Sequence, residues 1–340
     1  MLKKKIVGIL LVSLLVGTIF AGCVEKEEKK IVKPEEIRIK PEEIIKGIEG
    51  ATIQKVGESR DYAICNIEFI GEKEARIKGT LFIPFKPNGA GIIALNPIGA
   101  RKEIEVAKFF GQNGYISLAC CHRGSWDSKG YISAKYWPID TSQQVGILEE
   151  ILVNLNVQRK SLLGKGRIVL YGHDAAGNIA METATIDPRV DALIVSGFIQ
   201  DGFHSTFRSV TSFLKNPSFT SQATTGVLQG LHIFPLSSKT FPAVLNYGIY
   251  LLSSASHSGF KYAEEIEIPI LYIYPEYGIR APPKWSEKAY ELTPAKEKDI
   301  VCISGVSDGY LTPEGYPVTF EVLDKAIDWT NAQLVGGGKR

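Results

Sequence analysis

The chain has 340 residues, 44% of them hydrophobic, and a formal net charge of +2. That is enough apolar material for a large α/β core, and a charge so near zero gives no footprint for nucleic acid. There is no glycine-rich phosphate loop, no cysteine pair at metal-ligand spacing and no repeat of solenoid length, so no cofactor and no metal are expected.

The N-terminus opens on the basic "MLKKK", continues with the apolar "IVGILLVSLLVGTIFA" and ends in Ala21-Gly22-Cys23. Basic, apolar and small-residue regions in that order are the layout of a secretory signal. The run is short for a spanning helix, which needs about 20 apolar residues. Its small-small-Cys ending resembles a lipoprotein signal, although Phe20 stands where Leu is commoner. That resemblance implies cleavage before Cys23, lipid on its thiol, and a chain held by membrane lipid on the extracytoplasmic face of the cell membrane. The alternative is an uncleaved anchor helix over residues 1–23, which leaves the rest of the chain on the same side. Residues 24–46, "VEKEEKKIVKPEEIRIKPEEIIK", are dense in charge and contain "KPEEI" twice, which reads as a tether.

A folded domain is expected over residues 47–334, with a flexible tail at 335–340. "YAICNIEFI" and "ARIKGTLFIPF" alternate apolar and polar positions and read as an antiparallel pair. Six short apolar runs follow: "GIIALN", "YISLACC", "RIVLYG", "VDALIVSG", "PILYIYP" and "DIVCISG". Between or after them come segments of helix length, "RKEIEVAKFFGQNG", "TSQQVGILEEILVNLN", "AAGNIAMETATI", "PPKWSEKAYELT" and "EVLDKAIDWTNAQL". Near-continuous apolar strands in alternation with helices predict an α/β domain: a mostly parallel central sheet with helices on both faces. The alternation stops over residues 201–268, an aromatic, Ser/Thr-rich stretch that reads as a lid insertion after the sixth of these strands. Cys65, Cys120, Cys121 and Cys302 are expected as buried free thiols, with the neighbours Cys120 and Cys121 on opposite faces of one strand.

This order of elements resembles the α/β-hydrolase superfamily, and local motifs agree with it over most of residues 50–334. "NPIGARKE" stands where the family has an oxyanion loop, and "CCHRGSWDSKG" resembles its D-x-R-G-x-G-x-S loop. Gly172-His173-Asp174-Ala175-Ala176 matches the small-x-nucleophile-x-small elbow between a strand and a helix. "YPEYGIRAPPKWSEKAYEL" and "SGVSDGYLTPEGY" resemble the segments that hold the acidic and histidine members of the triad. The resemblance implies a small-molecule pocket with Asp174 in the nucleophile position and backbone N–H groups of Ala175 and Ile98 as oxyanion donors.

Three triad positions depart from the commonest pattern. An Asp nucleophile resembles haloalkane dehalogenases and epoxide hydrolases, in which a carboxylate forms an ester that water then cleaves. That second step needs a base, yet Asp308 stands in the histidine's place. Gly278 occupies the acid's place, with Glu276 two residues away and Asp201, after the sixth strand, as a substitute. The imidazoles are His122, His173, His204, His232 and His257. His173 is expected as a packed side chain and His122 as loop structure, while spacing selects neither His204 nor His232 as a base. Ser125, Ser196 and Ser307 read as ordinary loop hydroxyls. Asp174 and Asp308 would approach one crevice, where a close pair would share a proton or bind a cation. Two functions fit: a degenerate, non-catalytic protein that binds an unknown small-molecule ligand in the old pocket, or a hydrolase of small esters, epoxides or halides that uses Asp174.

Overall fold

Each of the six apolar runs becomes a strand in the computed structural model, which describes residues 39–95, 103–125, 127–131, 133–158, 167–201, 204, 258–308 and 319–336. The strands are β1 (Ala51–Glu58), β2 (Tyr62–Gly71), β3 (Ala75–Pro84), β4 (Ala90–Leu95), β5 (Ile116–Cys120), β6 (Arg167–His173), β7 (Ala192–Ser196), β8 (Ile270–Tyr277) and β9 (Lys298–Ser307). They form one nine-stranded sheet in the order β1-β2-β3-β5-β4-β6-β7-β8-β9. β1, β2 and β3 pair antiparallel, β3 joins β5 antiparallel, and β4 to β9 run parallel. This is the expected α/β-hydrolase architecture with one further edge strand, β1. β1 escapes notice in the sequence because it alternates partly buried with exposed positions and has no apolar run.

The helices are α1 (Pro41–Ile44), α2 (Ile104–Gln112), α3 (Trp137–Gln158), α4 (Ala175–Ile186), α5 (Gly259–Ala263), α6 (Pro283–Leu292) and α7 (Thr319–Gly336). β4, β5 and β7 are buried at every residue, as strands covered on both faces must be. Alternate side chains then feed two cores. Ile93, Leu118, Leu170 and Leu193 pack with Leu148 and Ile151 of α3, Ile179 of α4 and Ala289 of α6. Ile92, Ala119, Val169 and Ile194 pack with Phe110 of α2 and Leu323 of α7. Helices on both faces are therefore a consequence of the pleat. Residues 202–257, apart from His204, lie outside the described residues, and the lid expectation falls mainly there.

The packed chain begins earlier than residue 47. Ile39 and Ile44 are buried, the Ile39 N–H donates to the Phe85 carbonyl at 3.1 Å, and the Asn154 side-chain amide donates to the Ile44 carbonyl at 3.0 Å. The second "KPEEI" thus belongs to the domain rather than to the tether. Its isoleucines find apolar partners, which composition alone hides. Cys65, Cys120 and Cys121 are buried and in no disulfide, whereas Cys302, also in none, is exposed on the edge strand β9.

One buried ion pair anchors the loop after β5. Arg123 is fully buried; its Nε and Nη2 donate to the two carboxylate oxygens of Asp140 on α3, at 2.6 and 2.5 Å, and Nη2 also donates to the Glu72 carbonyl at 2.8 Å. Burial pushes the Asp140 carboxyl up, and the guanidinium opposes that shift. Removal of one partner strands the other charge, so Arg123→Met is expected to cost about 3–5 kcal/mol in chemical denaturation, while Arg123→Met/Asp140→Leu recovers most of the loss.

Candidate active site

β6 ends at His173 and α4 begins at Ala175, so Asp174 alone makes the turn. Its φ of 55° and ψ of −126° lie in a region that non-glycine residues rarely adopt, a strain of about 1–3 kcal/mol. Contacts on both sides impose it. The Asp174 N–H donates to the Ser196 carbonyl at 2.8 Å, and the Asp174 carbonyl accepts from the Gly177 N–H at 3.0 Å. A Cβ on Gly172 would strike the Ala176 carbonyl and come within 2.7 Å of the Gly177 Cα. The small residues two before and two after Asp174 are there because strand and helix touch backbone to backbone. A strand, a single-residue turn and a helix thus meet at Asp174.

The partner of Asp174 is an arginine. The Arg280 guanidinium, on the loop after β8, donates through Nη2 to Asp174 Oδ2. Asp174 Oδ1 is buried and has no hydrogen-bond partner among the described residues. The loop that carries Arg280 is itself held by Asp308. Asp308 Oδ2 accepts from the Ile279 and Arg280 N–H groups at 2.9 and 3.0 Å, and Oδ1 from those of Arg280 and Ala281, both at 3.1 Å. Burial pushes the Asp308 carboxyl up, while these amides and the guanidinium pull it back. Asp174 and Asp308 are therefore linked through Arg280 rather than to each other, which replaces the expected shared proton or cation with a guanidinium.

Gly278, in the expected acid position, allows the tight turn that presents Arg280: a Cβ there would lie 2.9 Å from the Ala281 carbonyl carbon. Glu276 accepts the Gly305 N–H at 2.8 Å and ties β8 to β9. His173 is partly buried, its Nδ1 lies 3.3 Å from Ser196 Oγ, and burial lowers its affinity for a proton. His122 is buried against the Trp137 ring at 5.6 Å. Asp201, buried after β7, takes the His204 backbone N–H on Oδ1 at 2.8 Å and His204 Nδ1 on Oδ2 at 2.7 Å. Ala175 heads α4, so its N–H belongs to the first turn, where donors lack intrahelical acceptors. Ile98, His232, His257 and Cys23 lie outside the described residues.

Two residues of this region were not singled out in the sequence. Arg280 is one; its signal was no more than a basic residue in the loop opposite the elbow. The other is Glu103, which precedes α2 after β4. Burial pushes its carboxyl up to about 7. Its charge also reinforces the upward push that burial gives the Tyr171 phenol on β6. Only the folded chain shows such desolvation.

No protein-family profile matches the sequence, and no curated protein does. Solved structures are similar to it in fold. A hypothetical protein from Pseudomonas aeruginosa shares 18% identity, with 82% of this chain and 98% of that chain covered, at a TM-score of 0.54. For an acetyl xylan esterase from Paenibacillus sp. R4 the values are 16%, 82%, 88% and 0.50. For a membrane phospholipase A described as a bacterial virulence factor they are 14%, 97%, 98% and 0.51. At such identities the likeness shows the fold alone. The chain has the α/β-hydrolase fold.

The Glu103 shift has a pH consequence. A carboxyl whose folded pKa lies above its unfolded value of 4.5 binds its proton more tightly in the native state. The associated stability is present below about pH 4.5 and is lost as pH rises through about 7. Glu103→Gln is expected to leave the urea midpoint unchanged near pH 4 and to raise it relative to the parent above pH 7.

Proposed function

We propose that the protein is a membrane-tethered, extracytoplasmic member of the α/β-hydrolase fold whose inherited triad is degenerate. Its pocket binds a small-molecule ligand, and Asp174 forms no ester with it. The observation that carries this reading is the Arg280 guanidinium on Asp174 Oδ2. A carboxylate neutralised by a bidentate-capable cation is a poorer nucleophile. An ester intermediate would also need a base to direct water, and proton transfer of that kind is worth about 10²–10⁴-fold in rate. The inherited base position holds Asp308, which is occupied with backbone amides. A second reading, hydrolysis of small esters, epoxides or halides through Asp174, draws support from the strained elbow and from the unpartnered Oδ1.

Isotope labelling separates the two. The full-length chain is incubated in H₂¹⁸O with a panel of esters, epoxides and alkyl halides, and the peptide that contains Asp174 is weighed. No label in that peptide is expected. Label there would show that water had cleaved an Asp174 ester, and would overturn the first reading.

The tether rests on the basic, apolar and small-residue order that ends in Cys23. Cys23→Ser is expected to block lipid incorporation and processing at this position, as read by metabolic labelling with a fatty acid. A chain that never takes up label, before or after the change, would instead support the anchor helix.

A further inference from the structure

The two edges of the sheet are finished differently. At the β1 edge, Lys55 Nζ lies 2.7 Å from Glu42 Oε1 and 2.9 Å from Glu58 Oε2, and the register with β2 shifts between Lys55 and Gly57. Charge and a bulge are common guards against the addition of a further strand. At the β9 edge, Ile300 to Val306 reads "IVCISGV", without a charge or a proline. The register of β9 with β8 is regular from Lys298 to Ile303, and Cys302 and Ser304 are exposed.

The ladder decides which backbone groups of β9 point outward. The Ile270 N–H donates to the Glu297 carbonyl at 3.0 Å. In a parallel pair such bonds recur at alternate residues, so Asp299, Val301 and Ile303 turn their backbone groups to β8. Ile300, Cys302 and Ser304 then turn theirs away from the sheet. Ile300 agrees with this, because its N–H donates at 2.8 Å to Oδ1 of its own neighbour Asp299 and not to a strand.

We infer that β9 pairs antiparallel with β9 of a second copy of this chain, about a two-fold axis at Cys302. The two Cys302 residues exchange N–H to C=O bonds across the axis, as Ile300 does with the partner's Ser304. Charge favours this register. It sets Lys298 opposite Val306 and Asp299 opposite Gly305, so no charge meets its like, whereas an axis at Asp299 would set two carboxylates face to face. It also sets Val301 opposite Ile303. Ile303 is buried in the core that α7 covers and Val301 packs against that core, so the pair carries apolar contact across the axis. Such an interface uses the same strand of each copy and closes at two. The outer edges of the joined sheet are then two copies of β1, the guarded edge. This goes beyond the pocket reading and draws on no residue of the elbow.

The test uses the full-length chain in detergent. Light scattering, corrected for bound detergent, is expected to give the mass of two chains. In a hydrogen-bonded pair the Cα atoms lie about 5.5 Å apart, inside the disulfide range of about 4.4–6.8 Å. Cys302 is exposed, so mild oxidation is expected to yield a Cys302–Cys302 peptide in the digest. Cys302→Lys and Cys302→Glu each set like charges opposite one another and are expected to raise the dissociation constant about tenfold or more. An equimolar mixture of the two variants is expected to recover the mass of two chains, which also shows that both fold. A parent with the mass of one chain overturns the inference. So does a two-chain parent whose association neither variant weakens, an oxidised digest without the Cys302–Cys302 peptide, or a mixture that stays at one chain.

Discussion

The backbone-to-backbone contact between the end of β6 and the first turn of α4 is the constraint on which the site depends. Gly172 has no room for a side chain against the backbone of Ala176 and Gly177, and the chain reverses from strand to helix in a single residue there. The reversal forces Asp174 into a strained conformation and delivers its carboxylate to the carboxyl edge of the sheet. Two hydrogen bonds to neighbouring backbone hold it there. A turn of this kind is independent of what sits at its tip.

Arg280 is what the elbow's aspartate faces. A lone carboxylate at the elbow would be desolvated by its surroundings, and burial of an unpaired charge is expensive. Here the loop after β8 supplies a guanidinium, and Asp308 grips that loop by three consecutive amides rather than by a side chain. Asp308 is thus the clamp that positions the counter-ion. Asp174, Gly278 and Asp308 are parts of one arrangement: the glycine permits the turn, the turn presents the arginine, and the second aspartate locks it.

Elsewhere the molecule relies on ordinary means. Strands buried on both faces require helices on both faces, and the two cores follow from the alternation of side chains. The buried Arg123–Asp140 pair holds the loop after β5 against α3 by charge.

The sequence by itself determined the fold. Six apolar runs, the helices between them and the spacing of Gly172 and Ala176 around Asp174 are local patterns, and local steric rules turn them directly into strands, helices and an elbow. The sequence did not show the edge strand β1, whose alternation lacks an apolar run, or the packing of Ile39 and Ile44 within a charge-rich stretch. Nor could it show who partners whom. Arg280 is 106 residues from Asp174 and Asp308 is 28 residues from Arg280, and those separations carry no period. The His204–Asp201 contact is close in sequence, yet the burial of Asp201 shows only in the folded chain. Partnership and desolvation arise when the carboxyl ends of neighbouring strands converge, so only the tertiary structure decided what the elbow's aspartate faces.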